Sequence, residues 1–262
     1  MSDRIAAAFA ANGKRAALMP YLMGGFPDLA TSRRIGEAYV DAGADLVELG
    51  VPFSDPLADG PAIHAAGTAA LRAGATVEGV LDVGRALSER LPVALMCYAN
   101  PILARGAQPF ARALADAGIA GLIVPDLPAE EAADIRAACD DEGVALIPLV
   151  APTTPDDRLK TIGASARGFL YTVSLTGTTG ERTALAEGLA GVIARAKRAT
   201  TVPVAVGFGI ATPDQASQAA EAGADGVIVG SRLVREAAEA SNPAEAVKRI
   251  VEDLAAGLMP NA

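Results

Sequence analysis

Candidate reactive side chains are most concentrated in residues 47–61, and they are acidic. Glu48 lies inside an apolar run, residues 47–50, and Asp55 and Asp59 follow in the loop of residues 52–61. An ionised carboxylate in apolar surroundings is strongly destabilised unless it is paired, so Glu48 indicates either a raised pKa or a polar site. This favours an acid–base residue over its alternative, a glutamate held in a core hydrogen-bond network. Asp beside Pro or Gly is common in turns, and spacing alone leaves Asp55 and Asp59 open.

Other reactive side chains are few. All four lysines lie before the first predicted strand or in helical segments, which disfavours a Schiff-base mechanism. His64 is the only histidine, and without a second one we expect a solvated residue at a helix start and no metal site. Cys97 and Cys139 have neither the number nor the spacing of a disulfide framework or a zinc site, and we interpret them as buried free thiols.

A second group of candidate residues is rich in glycine and lies in the last third of the chain. Residues 176–180 (TGTTG), 207–209 (GFG) and 230–231 (GS) each follow a predicted strand. Glycine lets backbone N–H groups approach an anion closely, and Ser231 can begin a helix whose positive end favours negative charge. A single glycine turn would be only a turn, but three at successive strand ends predict a phosphate site.

The elements that must position these groups alternate along the chain. Segments with apolar residues at helical spacing occupy residues 28–42, 77–91, 109–117, 129–142 and 185–199. Strands are predicted from short runs that are apolar on both faces, which is typical of parallel strands covered by helices. There are eight such runs: residues 17–23, 45–49, 93–98, 121–125, 144–150, 168–173, 202–207 and 226–230.

Three of these strands are introduced by a repeated phrase, residues 42–45 (AGAD), 117–120 (AGIA) and 222–225 (AGAD). We expect its glycine to close the preceding helix in the left-handed conformation. Eight strand–helix units, without a linker-like change in composition over 262 residues, predict an α/β fold. The first choice is a single (β/α)8 TIM barrel with eight parallel strands spanning residues 1–262, and the alternative is an open doubly wound sheet.

Charge and hydropathy exclude several classes of partner. A net charge of -9 and a sequence pI near 4.7 disfavour nucleic acid and anionic lipid surfaces as partners.

Lys14 and Arg15 before the apolar residues 16–25 look like the start of a signal peptide, but Pro20 and the lack of a small-residue cleavage site oppose that interpretation. No stretch has the roughly 18 uncharged apolar residues of a membrane span. We expect a cytoplasmic protein.

Residues 48–61 (ELGVPFSDPLADGP) resemble the signature of the alpha subunit of tryptophan synthase. The resemblance covers essentially the whole chain. Met23, Gly24 and Thr178 depart from what many relatives carry, which bears on the packing of the substrate pocket but not on the reaction. Further segments resemble the family in the same order: residues 20–21 with 25–27, 98–101, 124–128, 176–180, 207–210 and 230–231.

The resemblance implies a lyase of tryptophan biosynthesis that cleaves indole-3-glycerol phosphate to indole and glyceraldehyde 3-phosphate by a retro-aldol reaction. Glu48 is similar to the family's acid–base residue, and Asp59 to the carboxylate that accepts the indole N–H. Tyr171 is either an auxiliary group or an aromatic of a barrel layer. Two sets of substrate-binding residues follow: Phe208, Tyr98, Met96 and Ile63 around the indole, where core packing is the competing interpretation, and Thr179, Gly180, Gly209, Gly230 and Ser231 around the phosphate.

The resemblance also implies a partner. It implies no cofactor in this chain and pyridoxal phosphate in a beta subunit, with which the chain would form an alpha2-beta2 heterotetramer. The contact is expected at residues 53–60 and 100–101, on the same strand-end face as the site. Two alternatives stay open, another phosphosugar-binding barrel enzyme and a mainly regulatory subunit.

Overall fold

The computed structural model describes residues 2–173, 182–207 and 209–260. Within these ranges every strand pairing is parallel, and the strands follow the order β5-β4-β3-β2-β1-β9-β8-β7-β6. The strands are β1 (Ala17–Met23), β2 (Val47–Gly50), β3 (Val93–Met96), β4 (Gly121–Ile123), β5 (Ala145–Ile147), β6 (Leu149–Val150), β7 (Leu170–Val173), β8 (Val204–Gly207) and β9 (Gly226–Val229).

The two ends of this strand order meet in one chain segment. β5 pairs with β4, β6 pairs with β7, and only Pro148 separates β5 from β6. The Tyr171 N–H donates to the Pro148 carbonyl at 3.0 Å, while proline itself has no N–H for a ladder bond. The predicted parallel barrel is therefore confirmed, with its fifth strand divided at Pro148.

Helices connect the strands and cover the barrel. The long segment predicted at 129–142 is divided into a 3-10 turn, Ala129–Glu131, and a following helix. None of the helices in the described part of the chain is long and apolar enough to cross a bilayer. The helices are α1 (Ser2–Ala10), α2 (Leu29–Asp41), α3 (Pro61–Arg72), α4 (Val77–Ser88), α5 (Ala99–Arg105), α6 (Ala107–Asp116), α7 (Ala133–Asp141), α8 (Asp156–Ala164), α9 (Arg182–Ala199), α10 (Pro213–Glu221), α11 (Ser231–Glu239) and α12 (Pro243–Gly257).

The repeated phrase before three strands has a structural basis. Its aspartates bond to the start of the preceding strand in the sheet: Asp45 accepts from the Leu18 N–H at 2.7 Å, and Asp225 accepts from the Val204 N–H at 2.9 Å. Its glycines all have the positive φ that was predicted for a helix end: Gly43 (91°), Gly118 (71°) and Gly223 (98°). The phrase thus ends one helix and places the next strand in register.

The amino-terminal end of the barrel is closed by α1. Ile5 is fully buried among interior side chains, and the ring of Phe9 lies 5.7 Å from that of Phe169. The Arg4 guanidinium donates to the carbonyls of Leu91 and Gly118 at 3.3 and 3.4 Å. These contacts fill one end of the barrel, and the opposite end, where the strands have their carboxyl termini, is left for a site.

Candidate active site

Glu48 is the most unusual side chain of the barrel. It lies on β2 beside Tyr21 of β1 and Ala94 of β3, and it is 1% exposed. Its Oε2 has no hydrogen-bond partner among the described residues. Burial raises its pKa from 4.5 to about 8; a hydrogen bond with Tyr171 opposes the shift, and the negative charge of Asp59 adds to it. The carboxyl is therefore largely protonated at neutral pH and can donate a proton.

Two tyrosines flank this carboxyl inside the barrel mouth. Tyr171 is buried on β7, and a Cβ at Gly207 on β8 would lie 2.8 Å from its hydroxyl, so only glycine leaves room for it. In the same way, a Cβ at Gly50 would overlap the hydroxyl of Tyr21 on β1. Burial, followed by the charges of Asp59 and Glu48, raises the pKa of Tyr21, which keeps it a neutral hydroxyl.

Tyr21 also lies at this site, although none of the sequence-based predictions gives it a role. Its hydroxyl has one weak contact among the described residues, with Met23 Sδ at 3.9 Å. The signal that could have identified it is the parallel register, because a residue paired with Glu48 on the neighbouring strand points to the same side of the sheet.

The two loop aspartates have different surroundings. Asp59 is half-buried, and its Oδ1 accepts a hydrogen bond from the Tyr98 hydroxyl at 2.9 Å. Burial raises its pKa, which the bond from Tyr98 and the charge of His64 both lower. Asp55 is exposed and accepts a hydrogen bond from the neighbouring Ser54. Of the two, the structure brings only Asp59 to the Glu48 side of the mouth.

The predicted indole pocket is only partly within the described residues. Ile63 and Met96 pack against Tyr21 and Met23 at the rim of the barrel. Tyr98 stacks on Phe53, with ring centroids 5.3 Å apart and planes inclined by 28°. Phe208 lies outside the described residues. His64 is exposed in the first turn of α3, as expected for a solvated helix-start residue.

The predicted phosphate corner adjoins this pocket. Gly230 is the N-cap of α11 and Ser231 its first residue, so the first amides of the helix have no intrahelical partner and its positive end faces the mouth. A Cβ at Gly230 would lie 3.6 Å from both Ile63 and Tyr21, which places the corner beside the apolar pocket. Gly209 is exposed with a φ of 67°. Thr179 and Gly180 lie outside the described residues.

Fold and site together define an α/β-barrel enzyme whose mouth carries carboxyl groups suited to proton transfer. The sequence model of the tryptophan synthase alpha chain family matches residues 8–259. The chain belongs to this family, and the resemblance found in its sequence is confirmed.

Similar proteins cover nearly the whole chain. The tryptophan synthase alpha chain of Synechococcus sp. (strain CC9902) is 50% identical over 229 residues, which are 87% of this chain and 85% of that protein. A structure of Mycobacterium tuberculosis tryptophan synthase has a TM-score of 0.90 at 39% identity, covering 98% of this chain and 99% of that one. A structure of the tryptophan synthase a2b2 complex from Pyrococcus furiosus, described in terms of mutual activation, has a TM-score of 0.87 at 37% identity, covering 92% and 98%.

Proposed function

We propose that the chain is an alpha subunit that cleaves indole-3-glycerol phosphate into indole and glyceraldehyde 3-phosphate. The observation that carries this proposal is the Glu48 carboxyl, buried at 1% exposure with its pKa raised to about 8. A carboxyl that is protonated at neutral pH, on a rigid strand beside a helix N-terminus suited to phosphate, fits an acid-initiated cleavage of a phosphorylated substrate.

The first step is activation of the indole ring. Glu48 donates its proton to C3, and the ring becomes an indolenine cation that can accept the electrons of the bond to be broken. The positive charge is shared with the ring nitrogen. Asp59 accepts the N–H hydrogen bond there, and its negative charge stabilises the cation.

The second step returns the proton. Glu48, now a carboxylate, removes the proton of the side-chain hydroxyl, the oxygen forms the aldehyde, and the carbon–carbon bond breaks. Its electrons return to the ring, which leaves as neutral indole, while Glu48 regains the proton that it gave. Tyr171 hydrogen-bonds to Glu48 and stabilises its ionised form between the two steps.

Binding is divided between two surfaces. The indole lies against Tyr98, Met96, Ile63 and Phe208. The phosphate binds the amides at Gly209, Gly230 and Ser231 and the Ser231 hydroxyl, together with Thr179 and Gly180. Oriented backbone amides suffice for a phosphate dianion without a lysine or arginine.

A beta subunit that carries pyridoxal phosphate is the proposed partner, in a cytoplasmic alpha2-beta2 heterotetramer. Leu57 and Leu103 are large apolar side chains exposed at 87% and 63%. They follow β2 and β3 respectively, so both belong to the carboxyl-terminal face that holds the site. Exposed apolar groups on this face support docking of a partner protein. Direct transfer of indole to that partner would prevent loss of a small apolar product.

The test is indole formation from indole-3-glycerol phosphate by the purified chain, alone and during titration with a beta subunit. We expect measurable cleavage by the chain alone and a higher rate in the complex, because contact of the partner with residues 53–60 should raise the population of the loop conformation that is competent for catalysis. The variant Leu103→Asp, which lies outside the loop of residues 53–60, should weaken the increase and leave the rate of the isolated chain unchanged. Absence of indole under both conditions would refute the proposed reaction, and a rate independent of the beta subunit would refute the partner.

A further inference from the structure

Tyr98 connects two segments that are far apart in the sequence. It follows β3 as the N-cap residue of α5, and its ring is almost fully buried. Its hydroxyl accepts a hydrogen bond from the Ala58 N–H at 3.0 Å and donates one to Asp59 Oδ1 at 2.9 Å. Both partners belong to the loop of residues 53–60. The hydroxyl therefore acts as both a hydrogen-bond donor and an acceptor towards this one loop.

The loop has little else to hold it. Within the described ranges its remaining hydrogen bonds are local: Ser54 donates to Asp55, and the Gly60 carbonyl accepts from the His64 N–H at 2.9 Å. The ring of Phe53 stacks on Tyr98 at the beginning of the loop. Tyr98 therefore holds the loop at both ends, through its ring at residue 53 and its hydroxyl at residues 58 and 59.

We propose that Tyr98 is a positioning residue that acts through Asp59. By binding Oδ1, its hydroxyl fixes the carboxylate so that Oδ2 is presented to the substrate N–H, and by binding the Ala58 amide it holds the loop in that arrangement. The predicted role of Tyr98 as a wall of the indole pocket concerns only its ring. This inference rests on the proposed function, since it concerns the orientation of the carboxylate that stabilises the cationic ring.

Four titratable groups interact electrostatically with Asp59. Tyr98 after β3 and His64 on α3 act on its pKa, while for Glu48 on β2 and Tyr21 on β1 the charge of Asp59 raises their pKa values. Burial raises the pKa of Asp59, and Tyr98 is the largest influence that lowers it. Asp59 acts when ionised, so its contribution is lost as the pH falls through its pKa. Removal of the Tyr98 hydroxyl should therefore move the acid limb of the activity profile to higher pH.

The experiment compares Tyr98→Phe with the wild-type chain in complex with the beta subunit. We expect kcat to fall about tenfold, as for loss of a hydrogen bond to a charged group, with the acid limb at higher pH. Tyr39→Phe is the matched control, because it removes a buried hydroxyl that donates to a backbone carbonyl, that of Tyr21, at 3.2 Å. It should leave the acid limb in place. In the Asp59→Asn background, Tyr98→Phe should cause no further loss of kcat.

A readout independent of activity separates this inference from the proposed reaction. The Ala58 amide should exchange its hydrogen faster in Tyr98→Phe than in wild type, whether or not indole is formed. An unchanged exchange rate, an unmoved acid limb, or losses that simply multiply in the double variant would each overturn the positioning role. A wild-type chain without cleavage would instead refute the reaction, while the exchange experiment would still report on the loop.

Discussion

The two sides of the barrel mouth use different parts of the polypeptide. On the side of β2 and β3 the polar groups are side chains, with Glu48 buried and Asp59 half-buried. On the side of β9 they are backbone amides, presented by Gly230 and Ser231 at the start of α11. Burial shifts the pKa values on the first side, and on the second the glycine backbone leaves room for the anion that we propose to bind there.

This difference separates two kinds of effect. Groups whose protonation changes during the reaction should influence kcat and its pH dependence. Amides that hold a phosphate remote from the bond being broken should influence mainly KM, because they bind substrate and transition state alike. The comparison fails if variants on the two sides change the same parameter.

The largest effect is expected for Glu48→Gln on catalysis. The amide has nearly the same shape as the carboxyl but cannot transfer a proton, so kcat should fall by about 10³-fold or more. Binding of glycerol phosphate should be retained, since the glycine side of the mouth is untouched. Turnover comparable to wild type would remove Glu48 from the reaction, and the control is Glu89→Gln, an exposed glutamate at the end of α4.

The same substitution should stabilise the fold. The folded-state pKa of Glu48 is about 8 against 4.5 ordinarily, so the stability that depends on its protonation is complete below pH 4.5 and is lost as the pH rises to 8. Glu48→Gln should therefore raise the free energy of unfolding by roughly 2–4 kcal/mol at pH 8 and by little at pH 4. Chemical denaturation at both values measures this. A destabilised variant at pH 8 would mean that the buried carboxyl is not strained by its surroundings.

A smaller effect is expected for Asp59→Asn, which should lower kcat by about 10²-fold because a neutral amide cannot stabilise the cationic ring. Asp55→Asn is the internal control, since Asp55 is exposed and bonds to Ser54. It should change kcat less than about threefold if its role is confined to the turn. Equal losses in steady-state kinetics would show that the ranking of the two aspartates by burial is wrong.

The sequence predicted those features that depend on local patterns. The β1 boundaries are those predicted, Ala17–Met23, and the anomalous position of Glu48 within an apolar run was visible from the order of residues alone. Helix ends at Gly43 and its two equivalents followed from the preference of glycine for positive φ. The strand predicted at 93–98 ends at Met96, because Cys97 and Tyr98 turn into the start of α5.

Features that depend on distant contacts were not predictable. Nothing in the local sequence of helix α1 shows that it fills the end of the barrel, where Phe9 meets Phe169. The bond from Tyr98 to Asp59 joins residues 39 positions apart, and nothing in either local segment indicates it. The division of the fifth strand at Pro148 likewise reflects two different partners, β4 and β7.

The smallest effect concerns the glycine side, where Gly230→Ala gives a cleaner test than Gly209→Ala. Gly209 has a φ of 67°, so any side chain there would strain the backbone. The effect of that strain could not be separated from the effect of blocking the phosphate. Gly230 has a φ of -113°, and an added Cβ would meet Ile63 and Tyr21 at 3.6 Å, an ordinary van der Waals distance. The fold should therefore tolerate alanine at Gly230, and the methyl group should obstruct the proposed approach of the phosphate to the α11 amides.

We expect Gly230→Ala to raise KM for indole-3-glycerol phosphate about tenfold and to change kcat by less than about threefold, since one blocked anion contact is worth roughly 1–2 kcal/mol. Inhibition by glycerol phosphate should weaken by the same factor. Gly191→Ala on α9 is the matched control, because its Cβ would meet nothing within 4 Å and it lies in an exposed helical position. It should leave KM unchanged. If Gly230→Ala instead lowers kcat at constant KM, the phosphate does not bind at this corner, and the division between a catalytic and a binding side of the mouth has to be abandoned.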